Sequence, residues 1–229
     1  MKSAAAISPP PRQLALALDH AESYAREDFL AGPSNQAALA LIDAWPDWPA
    51  RAVALIGPEG SGKTHLATIW AAAAGARVVS AHGLGDVDPR VALATGALVV
   101  EDAHGVNDER ALFHLINMAR EDDAFLLLTA RTTPSLWPAA VADLISRLRA
   151  MPVVAMRAPD DALLRGVIVK LAADRQLQLD DGVVGYLSNH IERSFAAARA
   201  AVIALDREAL RQGRSPSRVL AAELFRDGG

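Results

Sequence analysis

The residues best suited to chemistry are numbers 57–64, which read G-P-E-G-S-G-K-T. Their spacing, G-x-x-x-x-G-K-[ST], is typical of a phosphate-binding loop, or P-loop. Glycines allow backbone conformations that a Cβ would block, so backbone N–H groups can surround a phosphate. Lys63 would bring a positive charge to the outer phosphates, and the Thr64 hydroxyl would hold Mg²⁺. The motif predicts a nucleotide-binding loop with contacts from Gly57, Pro58, Glu59, Gly60, Ser61, Gly62, Lys63, Thr64 and His65.

Two acidic residues form a second candidate group. Residues 97–100 are all apolar, as expected of a strand covered on both faces, and Glu101 and Asp102 follow them directly. A charged strand end is common and can lack any function. Downstream of a P-loop, however, this order is the Walker B pattern, in which one carboxylate orders Mg²⁺ and the next polarises the attacking water. We assign the metal to Glu101 and the catalytic carboxylate to Asp102.

Alternating strands and helices should position these groups. Apolar runs predict strands at 53–56, 77–80, 97–100, 125–129 and 153–156, and helical periodicity predicts helices after the P-loop, at 88–95, at 108–122 and at 141–148. Such alternation predicts an α/β fold with a parallel, doubly wound sheet. Thr129 ends its strand, where it could sense a γ-phosphate. The aromatic residues before the first strand could cover a nucleotide base or pack in the core, and their pattern does not decide between the two.

From Pro159 onward the pattern changes to helices alone. Four of them are predicted, which together would form a small all-helical domain. Arg199 falls within the apolar arc of the third helix, so its guanidinium must either reach solvent or meet an anion. Arg193, at the start of the same helix, is the competing candidate. We predict that one of these two arginines contacts a nucleotide phosphate.

Composition narrows the class of protein. The 229 residues carry a net charge of −4, which argues against an overall basic surface for nucleic acid. There is no cysteine, so disulfides and thiolate metal sites are excluded. The sequence shows neither a signal peptide nor an apolar run long enough to span a bilayer, which favours a cytoplasmic protein without a membrane segment.

The segment at residues 12–18 reads R-Q-L-A-L-A-L and follows a proline-rich start. Leu14, Leu16 and Leu18 alternate with alanines, and this period of two is typical of an edge strand. The alternative is a linear peptide motif. Gln13 followed by alternating leucines on a flexible tail suits docking into an apolar groove on a partner. The spacing alone favours neither interpretation.

Together, the P-loop, the Walker B pair, the strand that ends in Thr129 and the helical C-terminal part resemble AAA+ ATPases. Residues 143–148, D-L-I-S-R-L, are similar to the segment of the bacterial initiator DnaA that carries the arginine finger, with Arg147 at the finger position. This resemblance implies that Arg147 completes the nucleotide site of a neighbouring protein and stabilises charge in its transition state. The chain ends soon after the four helices, without the helix-turn-helix domain expected of DnaA.

Residues 13–18 are similar to the hexapeptide by which proteins dock on the DNA polymerase sliding clamp. With a DnaA-like module, this motif resembles the Hda family of regulatory inactivators of DnaA, of the alphaproteobacterial type. The resemblance implies a protein that binds ADP or ATP with Mg²⁺, docks on the DNA-loaded clamp and stimulates hydrolysis of the ATP bound to DnaA. Contact with DNA would be indirect, and a homodimer could bury the leucines. The clamp contacts would be Gln13, Leu14, Leu16 and Leu18.

The sequence departs from these relatives at three places. Glu101 and Asp102 stand where DnaA has two aspartates, which implies a weak ATPase activity of its own. Residues 130–131 stand where DnaA has an acid after the strand, and Ala197 stands at the position of the lid arginine. The expected organisation is a tail with the clamp motif at 1–20, a nucleotide-binding α/β domain at 21–157 and a helical lid at 158–229.

Two other functions fit parts of the pattern. An autonomous AAA+ ATPase, such as a helicase or clamp-loader-type motor, would show robust turnover of its own and a homo-oligomeric ring. A DNA-binding initiator fragment would need a basic surface, and the acidic balance of the chain argues against it.

Overall fold

The computed structural model describes residues 24–225, so the motif at residues 12–18 lies outside it and both interpretations of that motif remain predictions. Within this range the strands are β1 (Ala52–Ile56), β2 (Arg77–Ser80), β3 (Ala97–Glu101), β4 (Phe125–Ala130) and β5 (Val153–Ala155). The α-helices are α1 (Gln36–Asp43), α2 (Lys63–Ala74), α3 (Pro89–Ala92), α4 (Glu109–Glu121), α5 (Ala142–Ala150), α6 (Asp161–Asp174), α7 (Asp181–His190), α8 (Phe195–Gln212) and α9 (Arg218–Phe225).

The five strands form one sheet in the order β2-β3-β4-β1-β5, and every neighbouring pair is parallel. The predicted parallel α/β fold is therefore confirmed. In the register of β1 with β4, Leu55 lies opposite Thr129 and Ile56 opposite Ala130. Because parallel strands end at the same edge, the segments that follow β1, β3 and β4 meet there, and this edge is where ligands bind in such sheets.

Two apolar layers cover the faces of the sheet. Alternate strand residues point to opposite faces, so that Leu126 and Leu128 of β4 pack in one layer and Leu127 in the other. Helices α3, α4 and α5 contribute to the first layer, and α1 and α2 contribute to the second. Strands β1, β3 and β4 are largely buried on both faces, which explains why they read as continuous apolar runs, whereas β2 at the edge of the sheet is mostly exposed.

Helices α6 to α9 pack around a separate apolar cluster, centred on residues such as Leu164, Leu187, Val202 and Leu205. The Ser194 hydroxyl accepts a hydrogen bond from the Ala197 N–H and caps the start of α8. The expected all-helical C-terminal part is present. None of the helices between residues 24 and 225 is long and apolar enough to cross a membrane.

Candidate functional site

The P-loop leaves the sheet at the carboxyl end of β1, where the Gly57 N–H donates to the Ala130 carbonyl at 3.1 Å. Gly62 has φ +92° immediately before α2 begins, in a region that glycine tolerates and other residues rarely adopt. This turn directs the amino end of α2, with its partial positive charge, towards the concave side of the loop. The backbone is therefore arranged for an anion.

Lys63 folds back over this loop. Its ammonium donates to the carbonyls of Gly57 at 2.9 Å and Pro58 at 2.8 Å, and the side chain is buried. Burial lowers the pKa of Lys63, which the nearby carboxylate of Asp102 opposes. A compact cation therefore lies at the point where the motif predicts contact with the outer phosphates.

Thr64 and Glu101 form an oxygen-rich pair beside Lys63. The Thr64 hydroxyl donates to Glu101 Oε2 at 3.0 Å, while the second oxygen, Oε1, is buried without a hydrogen-bond partner in the described part of the chain. Burial raises the pKa of Glu101, and the hydrogen bond from Thr64 opposes this rise. A hydroxyl and a carboxylate with a vacant lone pair fit the ligand preference of Mg²⁺. These two side chains would hold the ion.

Asp102 lies beside this pair in an unusual backbone conformation. It has φ +54° and ψ +42°, and its N–H donates to the Thr129 hydroxyl at 3.1 Å. Aspartate is among the few non-glycine residues that enter this region. Thr129 is only 1% exposed, and its hydroxyl supports the backbone of Asp102. A contact between Thr129 and a γ-phosphate remains a prediction.

A cleft of about 690 Å³ opens between the P-loop and the helices that follow the sheet. This volume lies within the range of typical small-molecule sites, about 300–1,000 Å³. Apolar side chains line one part of the cleft, and the polar groups of the P-loop line another. The apolar set includes Phe29, Leu30, Val167, Leu171 and Ile203.

The third helix of the C-terminal part touches the P-loop directly. The Phe195 N–H donates to the Gly60 carbonyl at 2.9 Å, and a Cβ at Gly60 would lie 2.6 Å from the Cβ of Ser194. The ring of Phe195 lies 3.2 Å from the place where a Cβ of Gly62 would be. Glycine is therefore required in the loop both for its conformation and for the close approach of α8.

Neither a family model nor a curated relative matches the sequence. Among solved structures, domain III of the replication initiation protein DnaA from Thermotoga maritima matches with a TM-score of 0.75 at 19% identity, over 90% of this chain and 96% of that one. A replication initiator DnaA bound to AMPPCP and single-stranded DNA matches with a TM-score of 0.66 at 18% identity, over 83% of this chain and 68% of that one. The RuvB Holliday junction branch migration motor of T. maritima matches with a TM-score of 0.64 at 19% identity, over 85% of this chain and 69% of that one.

The chain has a DnaA-like AAA+ fold. At these identities the likeness defines the fold, and the chemistry must be argued from the residues.

In this DnaA-like AAA+ fold, the two candidate lid arginines have different surroundings. Arg199 lies in the wall of the cleft, along with Lys63 and Thr64. Arg193 pairs on the surface with Asp161 at 2.8 Å, and both side chains are exposed. The structure therefore places Arg199 in the wall of the cleft, whereas Arg193 is not among the residues that line it.

Arg147 lies on the exposed face of α5, whose other face buries Leu144 and Leu148. Within residues 24–225, α5 contributes nothing to the lining of the cleft. The start of α5 is held by Glu109 of α4, whose carboxylate accepts backbone N–H groups from Ala140 and Val141. Local sequence patterns do not predict this role of Glu109, because the contact joins segments that are distant in the chain.

His65 lines the cleft and packs against two aromatic rings that the sequence patterns do not assign to the site. Tyr24 and Phe29 each pack edge-on against its imidazole, with centroids 5.3 Å apart. Burial lowers the pKa of His65, although its Nε2 lies 3.3 Å from the Ala25 carbonyl. Lys170, also in the cleft, pairs with Asp28 and Asp174 at 2.7 Å. The aromatic residues before β1 are visible in the sequence, but which of them contact His65 depends on the tertiary fold.

Proposed function

We propose that this protein is a nucleotide-binding regulator that stimulates hydrolysis of ATP bound to DnaA, acting through Arg147 while docked on the DNA-loaded sliding clamp. The observation that carries the proposal is the placement of Arg147, exposed on α5 and outside the cleft of its own chain. An arginine in that place can complete a nucleotide site on another protein, where such a finger contributes about 10³–10⁵ in rate.

The protein itself binds ADP or ATP with Mg²⁺ in the cleft beside the P-loop. Backbone N–H groups of the loop and Lys63 would hold the phosphates, and Arg199 would reach them from the lid at residues 158–229. Thr64 and Glu101 would hold the ion, which would neutralise phosphate charge. The binding of AMPPCP by a DnaA with a similar fold supports this assignment.

Hydrolysis by the chain itself would be slow. A carboxylate that polarises the attacking water must reach it, and Asp102 is one methylene shorter than glutamate. Its backbone is fixed in the left-handed conformation by Thr129, which limits how far the carboxylate can move. Nucleotide bound in this cleft would therefore stabilise the conformation that acts on DnaA, and it would be hydrolysed only slowly.

Docking on the clamp would use Gln13, Leu14, Leu16 and Leu18, which precede the described residues. The α/β domain at 21–157 would then face DnaA, with DNA contacted only through the clamp. A homodimer that covers the three leucines would protect them when no clamp is bound.

Single-turnover hydrolysis of labelled ATP bound to DnaA, with clamp-loaded DNA present, tests this proposal. Wild type should accelerate hydrolysis, and Arg147→Ala should lose about 10³-fold of that acceleration. The matched control is Arg149→Ala, which removes another exposed arginine from α5. The double variant Gln13→Ala, Leu16→Ala should lose only the part of the stimulation that depends on the clamp. Full activity of Arg147→Ala would rule out the finger.

The second candidate is an autonomous AAA+ ATPase, and the likeness to the RuvB branch migration motor favours it. Such a protein would hydrolyse free ATP at a rate that depends on Lys63, would form a ring, and would leave DnaA-bound ATP unchanged. Multiple-turnover assays with ATP alone separate the two candidates, because the regulator should show little turnover without DnaA.

A further inference from the structure

The segment at residues 28–32, which precedes α1, lies against helix α6 at one side of the cleft. A Cβ added at Gly32 would be 3.4 Å from the Cβ of Leu163. Two residues earlier in the chain, Leu30 approaches the same helix, and its Cδ1 would be 3.7 Å from a Cβ added at Gly166. These contacts form a seam between the 28–32 segment and α6.

An ion pair closes the seam beside the cleft. The ammonium of Lys170 lies 2.7 Å from a carboxylate oxygen of Asp28 and 2.7 Å from one of Asp174, which is one turn further along α6. Lys170 and Asp28 are each 24% exposed, and both line the cleft. Burial opposes the charged form of Lys170, but the hydrogen bonds to Asp174 and Asp28 outweigh it and raise its pKa. Lys170 therefore joins α6 to the 28–32 segment by a charged contact that water screens only in part.

The two sides of the seam belong to different parts of the fold. The 28–32 segment is fixed to the α/β part, because Phe29 is buried in the apolar layer that includes α1 and α2. The buried side chain of Asn35 also holds it, accepting from the Gly32 N–H at 2.8 Å and donating to the Leu30 carbonyl at 2.9 Å. Helix α6 packs instead in the separate apolar cluster of the C-terminal helices. The seam can therefore part while both apolar cores stay intact.

The same two segments provide much of the apolar wall of the cleft. Phe29 and Leu30 line it from one side of the seam, and Val167 and Leu171 of α6 line it from the other. A flat apolar group, such as a nucleoside base, would be buried against these side chains while its phosphates meet the P-loop. Parting of the seam would separate the two halves of this wall and widen the cleft.

We propose that the seam is a gate for nucleotide exchange and that the ion pair between Lys170 and Asp28 holds it closed. The inference rests on the proposed nucleotide binding and adds to it a regulation of the same site. The pair joins protein atoms alone, so it restrains the entry and the exit of a nucleotide alike. It therefore sets the rates of exchange, whereas the affinity depends on contacts with the nucleotide itself.

Stopped-flow measurement of both rate constants for a fluorescent derivative of ADP, with Mg²⁺, tests this role. Lys170→Met should raise the association and dissociation rate constants together by about two- to fivefold, the size expected for a partly exposed ion pair. The dissociation constant should then change by less than about twofold. Asp28→Asn should act in the same way, and the double variant should show no more than either single change. A rise in the dissociation rate alone, with weaker binding, would mean that Lys170 contacts the nucleotide and would overturn the inference.

The matched control is Arg26→Gln. Arg26 lies in the same part of the chain and pairs with Asp43 at 2.8 Å, but this exposed pair joins α1 and not α6. Neither residue is among the described residues that line the cleft. Both rate constants should therefore stay at the wild-type values. Rates in Lys170→Met that match those of Arg26→Gln would contradict the gate.

A reversible covalent lock across the seam gives a second test. The chain contains no cysteine, and the 3.4 Å between the Cβ positions of residues 32 and 163 is close to the separation in disulfides, about 3.5–4.5 Å. The double variant Gly32→Cys, Leu163→Cys should exchange nucleotide at least about tenfold more slowly when oxidised than when reduced. Equal rates in the two forms, once electrophoresis without reductant has shown the bond, would overturn the inference.

The outcomes separate the gate from the proposed function. Wild type that binds no nucleotide would overturn both. Wild type that binds ADP, with exchange rates that neither Lys170→Met nor the disulfide changes, would overturn only the gate. If the disulfide does not form, the two rate constants of Lys170→Met decide the question by themselves.

Discussion

The carboxylate of Glu109 accepts the backbone N–H of Val141 at 2.9 Å. It also accepts the N–H of Ala140, at 3.1 Å through one oxygen and 2.8 Å through the other. Val141 occupies the N-cap position of α5, where its apolar side chain cannot accept a hydrogen bond. Glu109 of α4 therefore anchors the two residues that lead into α5, and it holds the start of the helix that carries Arg147.

Glu109→Ala should lower the free energy of unfolding by about 1–2 kcal/mol, since it leaves the start of α5 without its acceptor. Urea unfolding measures this change, and amide hydrogen exchange at the first turn of α5 should become faster. Glu121→Ala, which removes an exposed acid from the far end of α4, is the control. Equal stability of the two variants would show that the Glu109 contact contributes nothing.

Gly60→Ala should disrupt the contact between the P-loop and α8. The new Cβ would lie 2.6 Å from that of Ser194, and the residue has φ +69°. Gly75→Ala is a matched control, because Gly75 has φ +62° but nothing within 4 Å of a new Cβ. Both changes carry the backbone penalty, and Gly60→Ala should cost about 1–3 kcal/mol more through the clash. Thermal unfolding of both variants tests this difference, and equal costs would contradict it.

Thr64→Val and Glu101→Gln should each reduce the effect of Mg²⁺ on nucleotide affinity. The two side chains share the 3.0 Å hydrogen bond and offer the oxygen ligands described above. Affinity should therefore fall severalfold in the presence of Mg²⁺ and change little when EDTA replaces the ion. If both variants keep the wild-type response to Mg²⁺, these residues do not hold the metal.

Because of His65, the folded state should be less stable in mild acid than at neutral pH. Burial lowers its pKa below the ordinary value of 6.5, so the folded state releases a proton that the unfolded state still binds. Stability then rises with pH through this range and falls as the pH drops below about 6.5. His65→Phe keeps an aromatic ring between Tyr24 and Phe29 but removes this titration. Urea unfolding at pH 7.5 and 5.5 should show a smaller loss for the variant, and parallel losses would contradict the prediction.

Much of the fold could be read from local patterns. The apolar runs before Gly57 and Glu101 are buried on both faces, so a strand at each place was predictable without knowledge of its neighbours. The P-loop was equally accessible, because its function depends on backbone geometry that is set within eight residues. The cap at Ser194 is also local, since the acceptor and donor are three residues apart.

The remaining parts of the site depend on contacts between distant segments. Glu109 anchors the start of a helix that begins more than thirty residues later, and Arg131 meets Glu59 because β4 lies beside β1. The choice between Arg193 and Arg199 also required the fold, since both lie near the start of α8 and only packing directs one of them to the cleft. Periodicity cannot supply such information.

Nucleotide binding is tested most directly by calorimetric titration of the protein with ADP and with ATP in the presence of Mg²⁺, because the roles assigned to Lys63, Thr64, Glu101 and Arg199 all depend on occupancy of the P-loop. Wild type should bind one nucleotide per chain. Lys63→Ala, after circular dichroism has shown that it is folded, should bind at least about tenfold more weakly through loss of a charged phosphate contact. Absence of binding by wild type, or unchanged affinity in Lys63→Ala, would contradict the account.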